Sequence, residues 1–207
     1  MPDLIEVNAS QNQLTKCLDF NAPRNLRKVI LSNNLISSIG DQSVNQYLQS
    51  LVLDNNQIEI IAGLSQCKQL THLSLKNNQL QSITGLENLP LQTLALDHNE
   101  ITSTAGLETL KSLRSLDLSF NRISKLTGLA PLSVLSDLNL SQNEIAFADD
   151  VLELTELKFL VDLNLNANPV QEIMDYRLAL IFRLQGLTVL DTEVLAPEEK
   201  VIESAPL

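Results

Sequence analysis

The sequence predicts an α/β solenoid, with a curved parallel β-sheet on its concave face and short helical or 3₁₀ segments on its convex face. Three observations carry that expectation. Single asparagines at Asn12, Asn34, Asn56, Asn78, Asn99, Asn121, Asn143 and Asn168 are spaced by 22, 22, 22, 21, 22, 22 and 25 residues. The apolar content is high, at 44% of 207 residues, yet it is dominated by Leu, with no Trp and only 3% aromatics. And the same short grammar surrounds each asparagine, seen in LRSLDLSFNRISKLTGL from Leu113 to Leu129 and in LTHLSLKNNQLQSITGL from Leu70 to Leu86. A core built from one repeated aliphatic side chain points to one repeated geometry.

The L-x-L step before each asparagine alternates as a strand does, two leucines inward and the residues between them outward. One such coil cannot bury its leucines alone, whereas stacked coils bury a continuous core. The asparagine falls where the strand turns inward, and its amide can both accept from and donate to backbone groups left unpaired there. These asparagines are therefore read as structural. The later apolar positions, such as Ile58, Ile61, Leu64 and Cys67, recur every three residues, as in a helical or 3₁₀ segment. Gly63, Gly85, Gly106 and Gly128 share one register, seven residues after the asparagine. Cys17 aligns with Ile39, Ile61 and Ile83, and Cys67 with Leu89, so both thiols are expected in the core.

Two repeats depart from the pattern. IGDQSVNQYLQS, from Ile39, lacks the Gly-Leu step and carries Tyr47, predicting an irregular convex side. Three extra residues precede Asn168, and Val151, Leu154, Leu157 and Leu160 keep helical spacing, predicting a longer convex helix capped by Asp149 or Asp150. After Asn168-Pro169 the grammar stops. There the pattern predicts an amphipathic helix from Glu172 to Leu184, then an extended segment from Leu187 to Leu190 that shields the last coil. Domain boundaries follow: residues 1–168 form eight repeats, and residues 169–207 form a cap with an acidic tail. The chain enters its first repeat by Leu4, leaving the strand around Val7 as an exposed edge.

This grammar resembles the 22-residue leucine-rich repeats of the protein phosphatase 1 regulatory subunit family, over residues 4–168. The stretch NPVQEIMDYRLALIFRLQGLTVLD, followed by EEK, resembles the cap of axonemal dynein light chain 1 and its ciliary relatives, and that of the spliceosomal A-prime protein. Asn168-Pro169, Tyr176-Arg177 and Leu190-Asp191 carry that likeness. The resemblance implies a leucine-rich-repeat solenoid that binds a protein on its concave face and catalyses nothing. It leaves the partner open between a cytoskeletal or axonemal protein and a phosphatase catalytic subunit.

The register identifies the residues that face outward on the strands. Six before each asparagine come Glu6, Lys28, Ser50, His72, Thr93, Ser115, Asp137 and Asp162. Four before come Asn8, Ile30, Val52, Ser74, Ala95, Asp117, Asn139 and Asn164. Two before come Ser10, Ser32, Asp54, Lys76, Asp97, Ser119, Ser141 and Asn166. Asp97, Asp117, Asp137 and Asp162 thus cluster in neighbouring coils, an arrangement suited to Lys or Arg of a partner. Asn139 and Asn164 lie beside them, Ile30 and Val52 form a small apolar spot, and His72 stands in the outer row. Phe120 occupies the place just before its asparagine, where other coils carry Gln11, Asn33, Asn55, Asn77, His98, Gln142 and Ala167. It either faces a partner or folds back on its own coil.

Charge narrows the partner further. The formal net charge is −11, and from Glu144 to Leu207 there are 13 acidic against 4 basic residues. Phosphate backbones and anionic membranes are held largely through Lys and Arg, so neither is expected as a partner. A protein with a basic surface is. No phosphate loop, H-E-x-x-H or C-x-x-C pattern occurs, and His72 and His98 lie too far apart along the sheet to share a metal ion, so no enzyme, cofactor or metal is expected. With no basic, apolar leader in MPDLIEVNAS and no long apolar run, the cytoplasm is the expected compartment and a monomer the expected state.

Overall fold

The computed structural model describes residues 4–18 and 25–200, with the side chains of residues 148–150 and 152 left aside. Among the described residues ten short strands form a single sheet in chain order. These are β1 (Glu6–Asn8), β2 (Lys28–Ile30), β3 (Ser50–Val52), β4 (His72–Ser74), β5 (Thr93–Ala95), β6 (Ser115–Asp117), β7 (Asp137–Asn139), β8 (Asp162–Asn164), β9 (Val189–Leu190) and β10 (Glu193–Val194). Strands β1 to β9 run parallel, and β10 folds back antiparallel on β9. The molecule is a leucine-rich-repeat solenoid with its parallel sheet on the concave face.

Registration is that of the repeat. Glu6 pairs with Lys28, Lys28 with Ser50, Ser50 with His72, and so on to Asp137 with Asp162. The central residue of each strand from Val29 to Leu163 is buried, together with the leucines two positions on, from Leu31 to Leu165. One continuous core therefore runs from Cys17 to Leu195. At full burial each leucine contributes about 1.5–3 kcal/mol relative to exposure, and only stacking makes that available. Strand β1 lies at the sheet edge with Leu4 and Ile5 exposed beside it.

The asparagines work as a ladder between coils. Asn121 Oδ1 accepts from Ile101 N–H at 2.9 Å, while its Nδ2 donates to the carbonyls of Leu96, Leu118 and Ser119 at 3.0–3.1 Å. Asn34, Asn56, Asn78, Asn99, Asn143 and Asn168 also join their own coil to the one before. Among the described residues Asn12, in the first coil, reaches only the carbonyls of Ala9 and Ser10, and it is exposed. At Gly63, Gly85 and Gly106 glycine is required by close approach to the preceding coil's backbone as well as by backbone conformation. A Cβ on Gly106, at φ +103°, would come within 1.6 Å of the Ile83 carbonyl oxygen.

The convex side is less helical than its spacing predicts. In the third repeat Cys67 N–H donates to the Leu64 carbonyl and Leu70 N–H to that of Cys67, giving single 3₁₀-type turns rather than helices. The exception is the 3₁₀ helix Ala148–Glu156, where the three extra residues allow a longer run. Val151, Leu154, Leu157 and Leu160 are buried there, and the expected caps Asp149 and Asp150 lie outside the described side chains. In the second repeat, Gln42 and Asn45 stand where Leu64 and Cys67 stand one coil later, and are 2% and 1% exposed. Gln42 Nε2 donates to the Ile39 carbonyl and Asn45 Nδ2 to Gln42 Oε1, while Asn45 Oδ1 has no hydrogen-bond partner among the described residues.

The cap corrects two expectations. Instead of one helix from Glu172 to Leu184, a 3₁₀ turn, Pro169–Glu172, precedes helix α1 (Tyr176–Arg183). The break comes at Ile173, which is extended, and Asp175, which is left-handed at φ 60°; it lets Val170 enter the core at the end of the last coil. The predicted extended Leu187–Leu190 segment is strand β9, shorter than expected, and it continues through a two-residue turn into β10. That turn, Asp191-Thr192, has both residues left-handed, as a tight antiparallel hairpin needs.

Candidate functional site

The outward rows of strands β1 to β8 are the predicted ones, so the site can be built row by row. Asp137 lies directly opposite Asp162, and Asp117 is paired with Asn139, which is paired with Asn164. Together these five side chains line a shallow groove of about 370 Å³ at the C-terminal end of the concave face. Burial, and then the charge of Asp137, raise the Asp162 carboxyl above its usual range. Asp137 Oδ2 accepts from Ser136 Oγ. Asp117 Oδ1 accepts from Ser119 N–H and Oγ at 2.9 and 2.7 Å, and Asn139 Oδ1 receives the same two bonds from Ser141. Asn164 Oδ1 accepts from Asn166 N–H. These local bonds hold the side chains in place and leave Asp117 Oδ2 and the amide Nδ2 of Asn139 and Asn164 without protein partners among the described residues.

The cap completes this groove. Val189, in β9, extends the outer row beyond Asp162, and Thr192, in the hairpin, closes the end. Neither was among the residues expected from the sequence. A signal was present, because Leu184-x-x-Leu187-x-x-Leu190 repeats the spacing of Leu157-x-x-Leu160-x-x-Leu163.

Toward the middle of the face a second groove, about 320 Å³, is lined by Val52, His72, Ser74, Lys76, Ala95 and Asp117, among others. Ile30 sits directly beside Val52, so the small apolar spot exists, with both side chains half-buried. His72 Nδ1 contacts Thr71 Oγ1 at 2.8 Å and stands apart from the acidic groove.

Asp97 is not a free carboxylate. It is only 8% exposed, with Lys76 Nζ 3.3 Å from Oδ1 and His98 Nδ1 3.1 Å from Oδ2. Lys76 and Asp97 are neighbours in one row, so the repeat itself brings this pair together. Facing solvent, then, are Asp117, Asp137 and Asp162.

Every residue preceding a ladder asparagine has a left-handed backbone, with φ between 50° and 58° from Gln11 to Ala167. Asn tolerates that conformation; bulkier side chains are disfavoured by about 1–2 kcal/mol. His98 and Phe120 nevertheless occupy it in consecutive coils. Their rings stack with centroids 4.2 Å apart and planes 15° from parallel, so Phe120 lies on the neighbouring coil rather than folding back on its own. A ring pair of this kind returns about 0.5–1.5 kcal/mol, close to the conformational cost. Phe120 remains 47% exposed.

Both cysteines are buried, unpaired thiols. Burial pushes the Cys17 thiol up to about 12 and the Cys67 thiol up to about 11, far from the thiolate range of reactive cysteines. Among the described residues no three His, Cys, Asp or Glu side chains converge as metal ligands would, and no helix is long and apolar enough to cross a membrane.

Comparison with known proteins agrees with this geometry. A family model described as leucine-rich repeat matches residues 87–202, and a second of the same description matches residues 24–80. No curated protein matches the sequence. Among solved structures, an internalin from Listeria monocytogenes superposes with a TM-score of 0.75 at 27% identity, covering 91% of this chain and 54% of that one. A leucine-rich-repeat protein from Leptospira interrogans gives 0.75 and 27%, covering 91% and 49%. The chain thus spans about half the length of these two proteins. The Drosophila melanogaster SNF/U2A' complex contains a similar fold, at 23% identity and a TM-score of 0.53 over 73% of this chain.

Proposed function

Because the chain belongs to the leucine-rich-repeat family, we propose that it is a non-enzymatic scaffold or adaptor whose concave face grips a basic segment of one protein partner. The observation that carries this reading is the groove at the C-terminal end of that face. Asp117, Asp137 and Asp162 line it, and no cationic side chain is among its lining residues. Asp97, by contrast, already has Lys76. Clustered carboxylates on a fixed sheet steer and register a cationic partner. Asn139 and Asn164 add amide donors for the partner's backbone. Ile30, Val52 and His72 offer a second contact nearer the N-terminal half.

We take residues 1–168 as the repeat array that presents this face and residues 169–207 as the cap that seals it. The likeness of Asn168-Pro169, Tyr176-Arg177 and Leu190-Asp191 to the axonemal cap supports a cytoskeletal or axonemal partner, in the cytoplasm, where two unpaired thiols are ordinary. The phosphatase-regulator likeness of the repeats is a second reading.

The test is affinity purification from native extract with the wild-type chain beside an Asp117→Lys, Phe120→Ala, Asp137→Lys variant of unchanged circular dichroism. A partner lost only by the variant identifies the ligand and places it in the acidic groove. Identical partner sets for the two baits would remove the C-terminal half of the concave face from consideration, and a co-purified phosphatase catalytic subunit would favour the second reading. Leu118→Ala serves as the contrast, since it should cost about 2–5 kcal/mol by opening the core, whereas Asp137→Lys should leave folding nearly intact.

A further inference from the structure

The His98–Phe120 stack is the one place on the strand-turn row where two rings replace the amide side chains, or the Ala167, of the other coils. Its backbone favours Asn, which Asn33, Asn55 and Asn77 supply, and the last coil manages with Ala167. Phe120 therefore meets no demand of the fold that a smaller residue would not meet. The stack also leaves about half of the Phe120 side chain in contact with solvent. His98 Nδ1 lies 3.1 Å from Asp97 Oδ2, a contact that steadies the ring on which Phe120 stacks. Two residues of chain lie between Asp117 and Phe120, a span of at most about 11 Å, and Asp137 is one strand further.

We propose that the exposed ring of Phe120, backed by His98, is the seat of an arginine side chain from the partner's basic segment. The proposal rests on the reading that this segment occupies the concave face. Three features select arginine. The C-terminal end of the concave face is negative, with Asp117, Asp137 and Asp162 in its groove and a chain of net charge −11, while Lys76 and Arg122 near the rings are paired with Asp97 and Glu100; this disfavours anionic occupants such as nucleic acid. A planar guanidinium stacks on an aromatic face while its N–H groups remain available to carboxylates, which a compact ammonium cannot do as well. Finally, a second cationic residue further along an extended segment would fall over Asp117 and Asp137, so one strand of partner can use both features at once.

The probes are two fluorescein-labelled nonapeptides of equal charge, (Gly-Arg)₄-Gly and (Gly-Lys)₄-Gly, titrated with the full chain by fluorescence anisotropy. The wild type should bind the arginine peptide about two- to fivefold more tightly than the lysine peptide. Phe120→Ala should bring that ratio to one, and Phe120→Tyr should restore it. The alanine variant should fold, because Ala167 adopts the same left-handed backbone at φ 56°. Asp137→Lys should weaken both peptides while keeping the ratio, so the acidic groove and the ring are scored separately. Equal affinity of the wild type for the two peptides, or a preference that survives Phe120→Ala, overturns the arginine seat while leaving the groove standing. Binding of neither peptide overturns both, and binding indifferent to Asp137→Lys overturns the groove.

Discussion

The Tyr176 hydroxyl donates to Asp191 Oδ2 across 3.2 Å, joining the start of helix α1 to the hairpin between β9 and β10. Asp191 also accepts from Leu165 N–H at 2.7 Å and from Gln171 Nε2 at 3.1 Å, and its carbonyl accepts from Asn166 Nδ2. One carboxylate thus closes the last coil much as an asparagine closes each earlier one.

This contact gives the fold a pH dependence. Burial, then the Asp191 charge and the hydrogen bond to it, push the Tyr176 hydroxyl well above its usual value near 10. The folded chain therefore holds that proton more tightly than the unfolded one, and the associated stability is complete below about pH 10. It is lost as pH rises through the higher folded value. Urea unfolding should show a decline above pH 10 that is shallower in Tyr176→Phe, which should itself cost about 0.5–1.5 kcal/mol at neutral pH. An identical alkaline slope in both proteins would refute the assignment.

The asparagine ladder predicts position-dependent costs. Asn121→Ala strands the Ile101 N–H in the interior and removes one of two amide donors from each of the Leu96 and Leu118 carbonyls, which keep Asn99 and Asn143, and should cost about 1–3 kcal/mol. Asn12→Ala removes only exposed bonds within its own coil, so it should cost less than about 1 kcal/mol. Chemical denaturation of the two variants side by side decides the matter; equal losses would mean that the bonds between coils carry no special weight.

Thr192 is a β-branched residue at φ 70°, an unfavourable place for it. Thr192→Gly should convert the turn to Asp-Gly, the pairing preferred in two-residue hairpins, and raise the thermal midpoint by about 2–4 °C. Because Thr192 also walls the acidic groove, the same change should weaken binding of a basic partner. A lower midpoint would show that the threonine side chain supports the cap.

In the second repeat, Gln42 and Asn45 occupy core places that other coils fill with apolar groups. The double variant Gln42→Leu, Asn45→Leu removes both members of the hydrogen-bonded pair, together with the unpartnered Asn45 Oδ1. It should be neutral or stabilising, by up to about 2 kcal/mol, whereas Asn45→Leu alone leaves Gln42 Oε1 buried without its donor and should do worse. Calorimetry on the single and double variants would reverse this ordering if the pair has partners beyond those seen here.

Repetition explains what could be read from the sequence. The strand register, the buried leucines and the asparagine roles are each written eight times, so a lapse in one copy does not obscure the rest. Ring contact between His98 and Phe120 was readable only as adjacency in a row, because whether a side chain lies on its neighbour or on its own coil depends on its rotamer. The register puts Asp97 on the open face, and only the reach of Lys76 decides that its charge is paired there. The cap is written once. Asp191 gathers partners from positions 165, 166, 171 and 176, and no period links those numbers. The left-handed Asp175, which splits the predicted helix, has no periodic signature either.

The ladder also has a direction. Each asparagine from Asn34 onward serves backbone groups of the coil before it: Asn34 receives the N–H of Leu14, and Asn168 that of Ile145. A coil leaving the ribosome is consequently incomplete until some 20 further residues have followed and delivered the next amide. Closure trails synthesis by one turn along the whole array. A nascent chain interrupted anywhere within the repeats would always end in one unfinished coil, open to a chaperone or a protease, with every earlier coil already shut.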